Sequence, residues 1–235
     1  LADFTIFKDI DLDGRYLVTG FHGIGWTGYI ATRYLVGKLG GERIGYLQFD
    51  GMKPVVRLWQ QKISFPHDIF LIGNNVYLAS EAPLPDEHTM DITRDICTWA
   101  KESGLEAAIV IGGLTKAVSQ KDDPPLLGVA TSKAKPLMED FNISWMLDDL
   151  NIVGPLAGML FHAERMELPL LSLLPFAEGR PDRRAAAVAI EKLGEILGFE
   201  VDTRELIEAE DLERQIQQMV TAQLKSEEQE SFNYM

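Results

Sequence analysis

Gly23-Ile24-Gly25-Trp26-Thr27-Gly28 is the sharpest local pattern in this 235-residue sequence. It follows a strand-like run and opens a helix-like one, with Asp50 at the end of the next strand-like run. That is the layout of a dinucleotide fingerprint, in which glycines let the backbone reach a pyrophosphate at a helix N-terminus. The same glycines equally permit a tight strand-to-helix turn and close packing. Two details favour packing. Gly20-Phe21-His22 intervenes between strand and motif, and Trp26 puts a large side chain in the loop that would approach phosphate. The expectation is a structural loop without a cofactor; the alternative is a nucleotide- or nucleoside-binding enzyme that uses Gly23–Gly28.

The other candidate groups do not assemble into a catalytic set. His22, His67, His88 and His162 are too scattered for the short helical spacing of a zinc motif. Cys97 falls within a helical pattern beside Trp99 and reads as a packing residue rather than a nucleophile. Asp148-Asp149 is an isolated acidic pair of the kind found in loops and caps. Glu81, in Ser80-Glu81-Ala82-Pro83-Leu84-Pro85, has the makings of a catalytic acid, but the prolines read more simply as a rigid turn after a strand. No nucleophile, base and orienting group stand together. Neither catalytic residues nor a metal site are expected.

The elements that must position these groups alternate along the chain. Tyr16–Thr19 is a short buried strand ending at Gly20, and a helical pattern runs from Gly25 to Leu39 before Gly40-Gly41. Strand-like runs follow at Ile44–Phe49, Val55–Leu58, Ile69–Ile72 and Val76–Ala79. Asn74-Asn75 reads as a tight hairpin turn, which makes this stretch antiparallel. Alternation then resumes: helix His88–Ser103, strand Ala107–Ile111, strand Leu126–Thr131 and helices Lys135–Phe141 and Pro155–Met166. Strand Leu168–Leu174 and the Ala-rich helix Asp182–Leu197, closed by Gly198, complete it. The pattern predicts an α/β fold with a mixed, mostly parallel sheet flanked by helices.

Composition narrows the class. Apolar residues make up 46% of the chain and charged residues 25%, which excludes disordered, collagen-like and disulfide-scaffold proteins. One cysteine cannot form an internal disulfide, so a reducing, cytoplasmic setting is expected. The opening residues lack the pattern of a signal peptide. The richest apolar run, Leu168–Phe176, is broken by Pro169, Ser172 and Pro175 and is far short of a membrane span. A net charge of -14 repels phosphate backbones and anionic lipid, so neither nucleic acid nor membrane is an expected partner.

The end of the chain differs in character. Residues 1–200 read as the α/β core domain, 201–225 as a helical extension and 226–235 as a flexible acidic tail. Asp202 and Glu205 form a capping-box-like start. Leu212, Ile216, Val220 and Leu224 recur every four residues as one apolar stripe, which needs cover from the core or a neighbouring subunit. Between Glu200 and Met235 ten acids face three bases. The chain ends Phe232-Asn233-Tyr234-Met235, two aromatics that a solubility tail does not require.

Taken in order, six segments resemble the proteasome assembly chaperone family, in particular the archaeal and bacterial relatives of the second eukaryotic chaperone. They are Val18–Gly25, Ser80–Pro83, Ile109–Gly113, Ile152–Leu160, Pro181–Ala186 and Leu197–Leu206. The resemblance covers nearly the whole chain. It implies a fold similar to nucleoside phosphorylases and peptidyl-tRNA hydrolases, without a known shared active site. It further implies a non-enzymatic, homo-oligomeric assembly chaperone, adaptor or activator that binds proteasome α subunits or a related complex. Several partners of the 20S particle carry a C-terminal hydrophobic-Tyr-any tripeptide that inserts between α subunits. Here Tyr234 matches, the Met235 carboxylate suits a lysine, and Asn233 departs from the pattern, with Phe232 displaced by one position. Phe232, Asn233, Tyr234 and Met235 are therefore the expected partner-binding residues.

Overall fold

The computed structural model describes residues 2–59 and 61–212. The chain divides into two units, Leu1–Val201 and Asp202–Met235.

The first unit opens with β1 (Ala2–Ile6), β2 (Tyr16–Gly20), helix α1 (Thr27–Lys38) and β3 (Glu42–Phe49). A small hairpin, β4 (Arg57–Trp59) and β5 (Lys62–Ser64), precedes the pair β6 (His67–Ile72) and β7 (Asn75–Ser80). Helix α2 (Thr89–Glu102), β8 (Ala107–Ile111), the short β9 (Leu114–Thr115) and β10 (Leu126–Ala130) follow. Helices α3 (Lys135–Asp140) and α4 (Pro155–Met166), strand β11 (Leu170–Ala177) and helix α5 (Arg183–Leu197) complete the unit.

Among the described residues nine strands share one sheet, ordered β1-β3-β6-β7-β2-β8-β11-β10, with β9 beside β11. β7, β2, β8 and β11 run parallel at its centre, while β1, β3, β6 and β10 are antiparallel to their neighbours. Burial explains the composition of the centre. Every residue of β8 and β11 is buried, which is why β8 is apolar throughout and β11 is apolar apart from Ser172, neither showing the alternation of a half-exposed strand. Helices α2 and α4 pack together on one face, where Ile92, Ile96, Cys97, Met159 and Ala163 meet Leu17, Leu78, Ala108 and Val110. Helices α1 and α5 pair on the other face against β2, β7 and β11.

Several boundaries differ from the expectation. The β6–β7 hairpin exists, but Asn75 pairs with Ile72, so Gly73 and Asn74 make the turn and Gly73 holds the positive φ of 55°. Glycine takes that conformation without the Cβ clash that an Asn must tolerate. The predicted helix from Gly25 begins with a 3-10 turn, Ile24–Trp26, and becomes α-helical only at Thr27. Val55 and Val56 precede β4 rather than belonging to it, and β11 starts at Leu170, two residues later than predicted. β1 was not anticipated; it exists by pairing with β3. In the second unit residues 204–212 are helical, and Asp202 accepts the Arg204 backbone N–H at 3.0 Å while binding its guanidinium. Ile216, Val220, Leu224 and the Phe232–Met235 segment lie outside the described residues.

Candidate functional site

The four parallel strands all end on one edge, at Gly20, Ser80, Ile111 and Ala177. In open α/β sheets this carboxyl edge is where ligands bind. Here the Gly23–Gly28 loop covers it, with Gly25 and Gly28 taken up in packing and Gly23 open to the neighbouring cleft. A Cβ on Gly28 would stand 2.2 Å from the Ile111 carbonyl oxygen, and one on Gly20 2.4 Å from the Gly28 carbonyl oxygen. The first turn of α1 is thus pressed directly onto the ends of β2 and β8. Gly25 has φ +65°, and its carbonyl accepts the Asp182 N–H at 2.9 Å.

Asp182 locks that arrangement from α5. Its carboxylate, 1% exposed, accepts the Ala185 and Glu178 backbone N–H groups, both at 2.9 Å, and lies 3.4 Å from Lys116 Nζ. Burial alone would raise the pKa of this acid. The two N–H bonds and the Lys116 charge outweigh it and hold the carboxyl below its usual range.

Beside the glycine loop lies a cleft of about 140 Å³, lined by Phe21, Ile24, Leu114, Met146, Val153 and Leu156 among others. Its mouth exposes apolar surface: Val153 is 79% exposed, and Ile24 and the Trp26 indole are also open to solvent. Trp26 sits in left-handed backbone at φ 49°, which turns its ring outward at the start of α1. The His22 ring stacks on Tyr29 at 4.3 Å and meets Trp26 edge-on at 5.6 Å. Burial lowers the His22 pKa despite the opposing charge of Glu81, so the imidazole is neutral at pH 7.

Glu81 is the hub of an ion cluster. It accepts from Arg33 at 3.0 Å, from the Tyr29 hydroxyl at 3.2 Å, and from Arg57 on the β4–β5 hairpin. Two guanidinium groups and a phenol thus tie this carboxylate to α1 and to the β4–β5 hairpin. Ser80 and His67 face each other in register across β7 and β6, yet neither the Ser80 hydroxyl nor either His67 ring nitrogen has a hydrogen-bond partner. They form no nucleophile–base pair. Cys97 is buried against Met159, its Sγ 3.8 Å from the Met sulfur, and burial pushes its thiol up to about 12. Asp148 and Asp149 lie on an exposed loop, Asp149 at φ 66°. No group of three His, Cys, Asp or Glu side chains capable of holding a metal occurs among the described residues, and no helix there is long and apolar enough to cross a membrane.

The predicted residues are therefore brought together in part. Gly23–Gly28, His22 and Glu81 converge on the strand-end edge, while Cys97, His88, His162, Asp148 and Asp149 stand apart from them. Sequence reasoning missed Asp182 as the lock on the loop, although Pro181-Asp182-Arg183-Arg184 at a helix start carries the cap signal. It also missed Arg57 and Arg33 as partners of Glu81, which only the folded chain brings close.

A mixed α/β sheet covered on both faces, with a glycine loop packed onto its strand ends and an apolar rim beside it, defines the class of scaffold. The chain belongs to the PAC2 family, whose model matches residues 17–220. It is similar to the Pyrococcus furiosus protein PbaA, an archaeal homologue of proteasome-assembly chaperone. The TM-score is 0.81 at 25% identity, covering 93% of this chain and 96% of that one. Pyrococcus furiosus PbaB, an archaeal proteasome activator, shares the fold with a TM-score of 0.79 at 18% identity, covering 94% and 98%. An uncharacterized protein of Methanocaldococcus jannaschii is 24% identical over 221 residues, 92% of this chain and 90% of that protein.

Proposed function

We propose that this protein is a proteasome assembly chaperone or proteasome activator that works by binding rather than catalysis, as a cytoplasmic homo-oligomer. Membership of the PAC2 family across residues 17–220 carries the reading, and the likeness to PbaA over nearly the full length supports it. The packed glycine loop and the ion-paired Glu81 add weight from the chain itself.

Docking falls to the C-terminal segment Phe232-Asn233-Tyr234-Met235, with proteasome α subunits as the partner. Tyr234 supplies a rigid aromatic anchor with a hydroxyl to satisfy, and the Met235 carboxylate a charge-assisted bond to a lysine. One tail binds weakly, since ordering a peptide costs conformational entropy. Several tails on one oligomer recover affinity through effective concentration when their spacing fits the pockets. The test is capture of the protein on immobilised, purified α subunits. Deleting residues 233–235 is expected to abolish capture without changing the melting temperature, and Asn233→Leu to strengthen it. Equal capture of the deletion variant would move the contact to the folded body.

A further inference from the structure

The β4–β5 hairpin carries its side chains the wrong way round for a solvated element. Two-stranded hairpins alternate faces, and the outer face is ordinarily polar. Here the inward positions hold Arg57, bound to Glu81, and Trp59, whose ring lies 6.4 Å from Phe70. The outward positions hold Leu58, 74% exposed, and its register partner Ile63, 57% exposed, with Val56 beside them at 68%. Anchoring by Arg57 and Trp59 fixes this apolar face outward. Residues 52–64 also carry three bases and no acid, in a chain of net charge -14.

A surface of complementary character lies at the far edge of the sheet. Residues 144–146 run beside β10: the Ser144 carbonyl accepts the Gly128 N–H at 2.8 Å, and the Met146 N–H donates to the Gly128 carbonyl at 2.8 Å. Met146 and Leu150 pack inward, which leaves Trp145 and Leu147 exposed, with Val153 further along. Residues 142–154 contain Asp148 and Asp149, both exposed, and no base. The hairpin packs through Trp59 against β6, whereas residues 144–146 lie beside β10 at the opposite edge of the sheet.

We propose that the β4–β5 hairpin of one copy docks on the 142–154 segment of a second copy. Leu58, Ile63 and Val56 cover Trp145, Leu147 and Val153, and Lys53 and Lys62 face Asp148 and Asp149. Two hairpins meeting face to face would oppose like charges, whereas hairpin on segment pairs bases with acids. Repeated from copy to copy, a contact between two different patches is heterologous: each copy gives a hairpin and receives one, and a ring forms where the rotation closes. This rests on the proposed homo-oligomer and assigns its contact.

Leu58→Asp and Val153→Asp test it by light scattering after size exclusion, with circular dichroism melts to confirm folding; both residues are exposed. Each variant alone is expected to fall to the 26.3 kDa mass of one chain. Mixed in equal amounts, the two should form a dimer of twice that mass, because one retains the hairpin and the other the segment. Folded variants that keep the parent mass overturn the assignment and leave the oligomer standing. Variants that dissociate but stay monomeric when mixed overturn the head-to-tail pairing. A variant that keeps its mass but loses capture by α subunits overturns it in favour of a partner protein on the hairpin. A monomeric parent overturns the oligomer and this contact together, while the capture experiment judges proteasome binding separately.

Discussion

His67 lies wholly buried on β6 beside Phe49, with neither ring nitrogen hydrogen-bonded. Burial, reinforced by the neighbouring His22, pushes its pKa down to about 4. The unfolded chain titrates this side chain near ~6.5. Between the two values the unfolded state binds the proton and the folded state does not, so stability falls as pH falls through that window. The full cost is on the order of 3 kcal/mol from this residue. Urea unfolding at a series of pH values from 7 to 4 is expected to show that decline. His67→Gln should flatten it in part, because His22 is depressed in the same direction. An unchanged slope would mean that His67 is charged or solvated in the native state.

Each element around the site depends on close backbone approach more than on side chains. Gly28→Ala would place a methyl 2.2 Å from a main-chain oxygen of β8, a group that cannot rotate away. It is expected to destabilise by ~3 kcal/mol or more, as overpacking of a tight contact does. Gly40→Ala is the comparison. Its φ is +68° with nothing within 4 Å of the added Cβ, so strain alone applies, roughly 1–2 kcal/mol. Melting temperatures of the two variants check the ordering.

The strands β2, β7 and β8 and the helices α2, α4 and α5 were legible because their patterns are local: buried apolar runs, caps and stop glycines. The lower-contrast pieces were not. β1 reads as a polar-apolar mixture whose only argument for strand is its partner β3. Of the β4–β5 hairpin only the first strand shows, displaced, as the run Val55–Leu58; the three residues of β5 are too few to set a pattern. The Gly20-Phe21-His22 gap and Trp26 point to a packing role for Gly23–Gly28, and Gly25 and Gly28 do crowd against their neighbours. Which backbones the loop separates, and that Asp182 bolts it down from a helix more than 150 residues later, required the tertiary fold. Glu81 was read as a candidate acid in a turn; its guanidinium partners come from α1 and the hairpin.

At the scale of the molecule, the sheet order sets a schedule. β2 is central, but Leu17 pairs with Val76 on one side and Ala108 on the other. During synthesis its apolar residues wait for β8 to leave the ribosome, on the order of 5–20 s at ~5–20 residues per second. Refolding from denaturant faces the same delay as loop-closure entropy, which places it in the slow, millisecond-to-second range of non-local topologies. Ile109→Val, a loss of about 0.5–1.5 kcal/mol at the centre of β8, is expected to slow refolding in stopped-flow tryptophan fluorescence rather than to hasten unfolding. A mutation that instead speeds unfolding would place the β2–β8 join after the rate-limiting step. Until that join is made, the nascent chain carries half a sheet whose bare edge is β2, and its own assembly is the moment at which it most resembles a client.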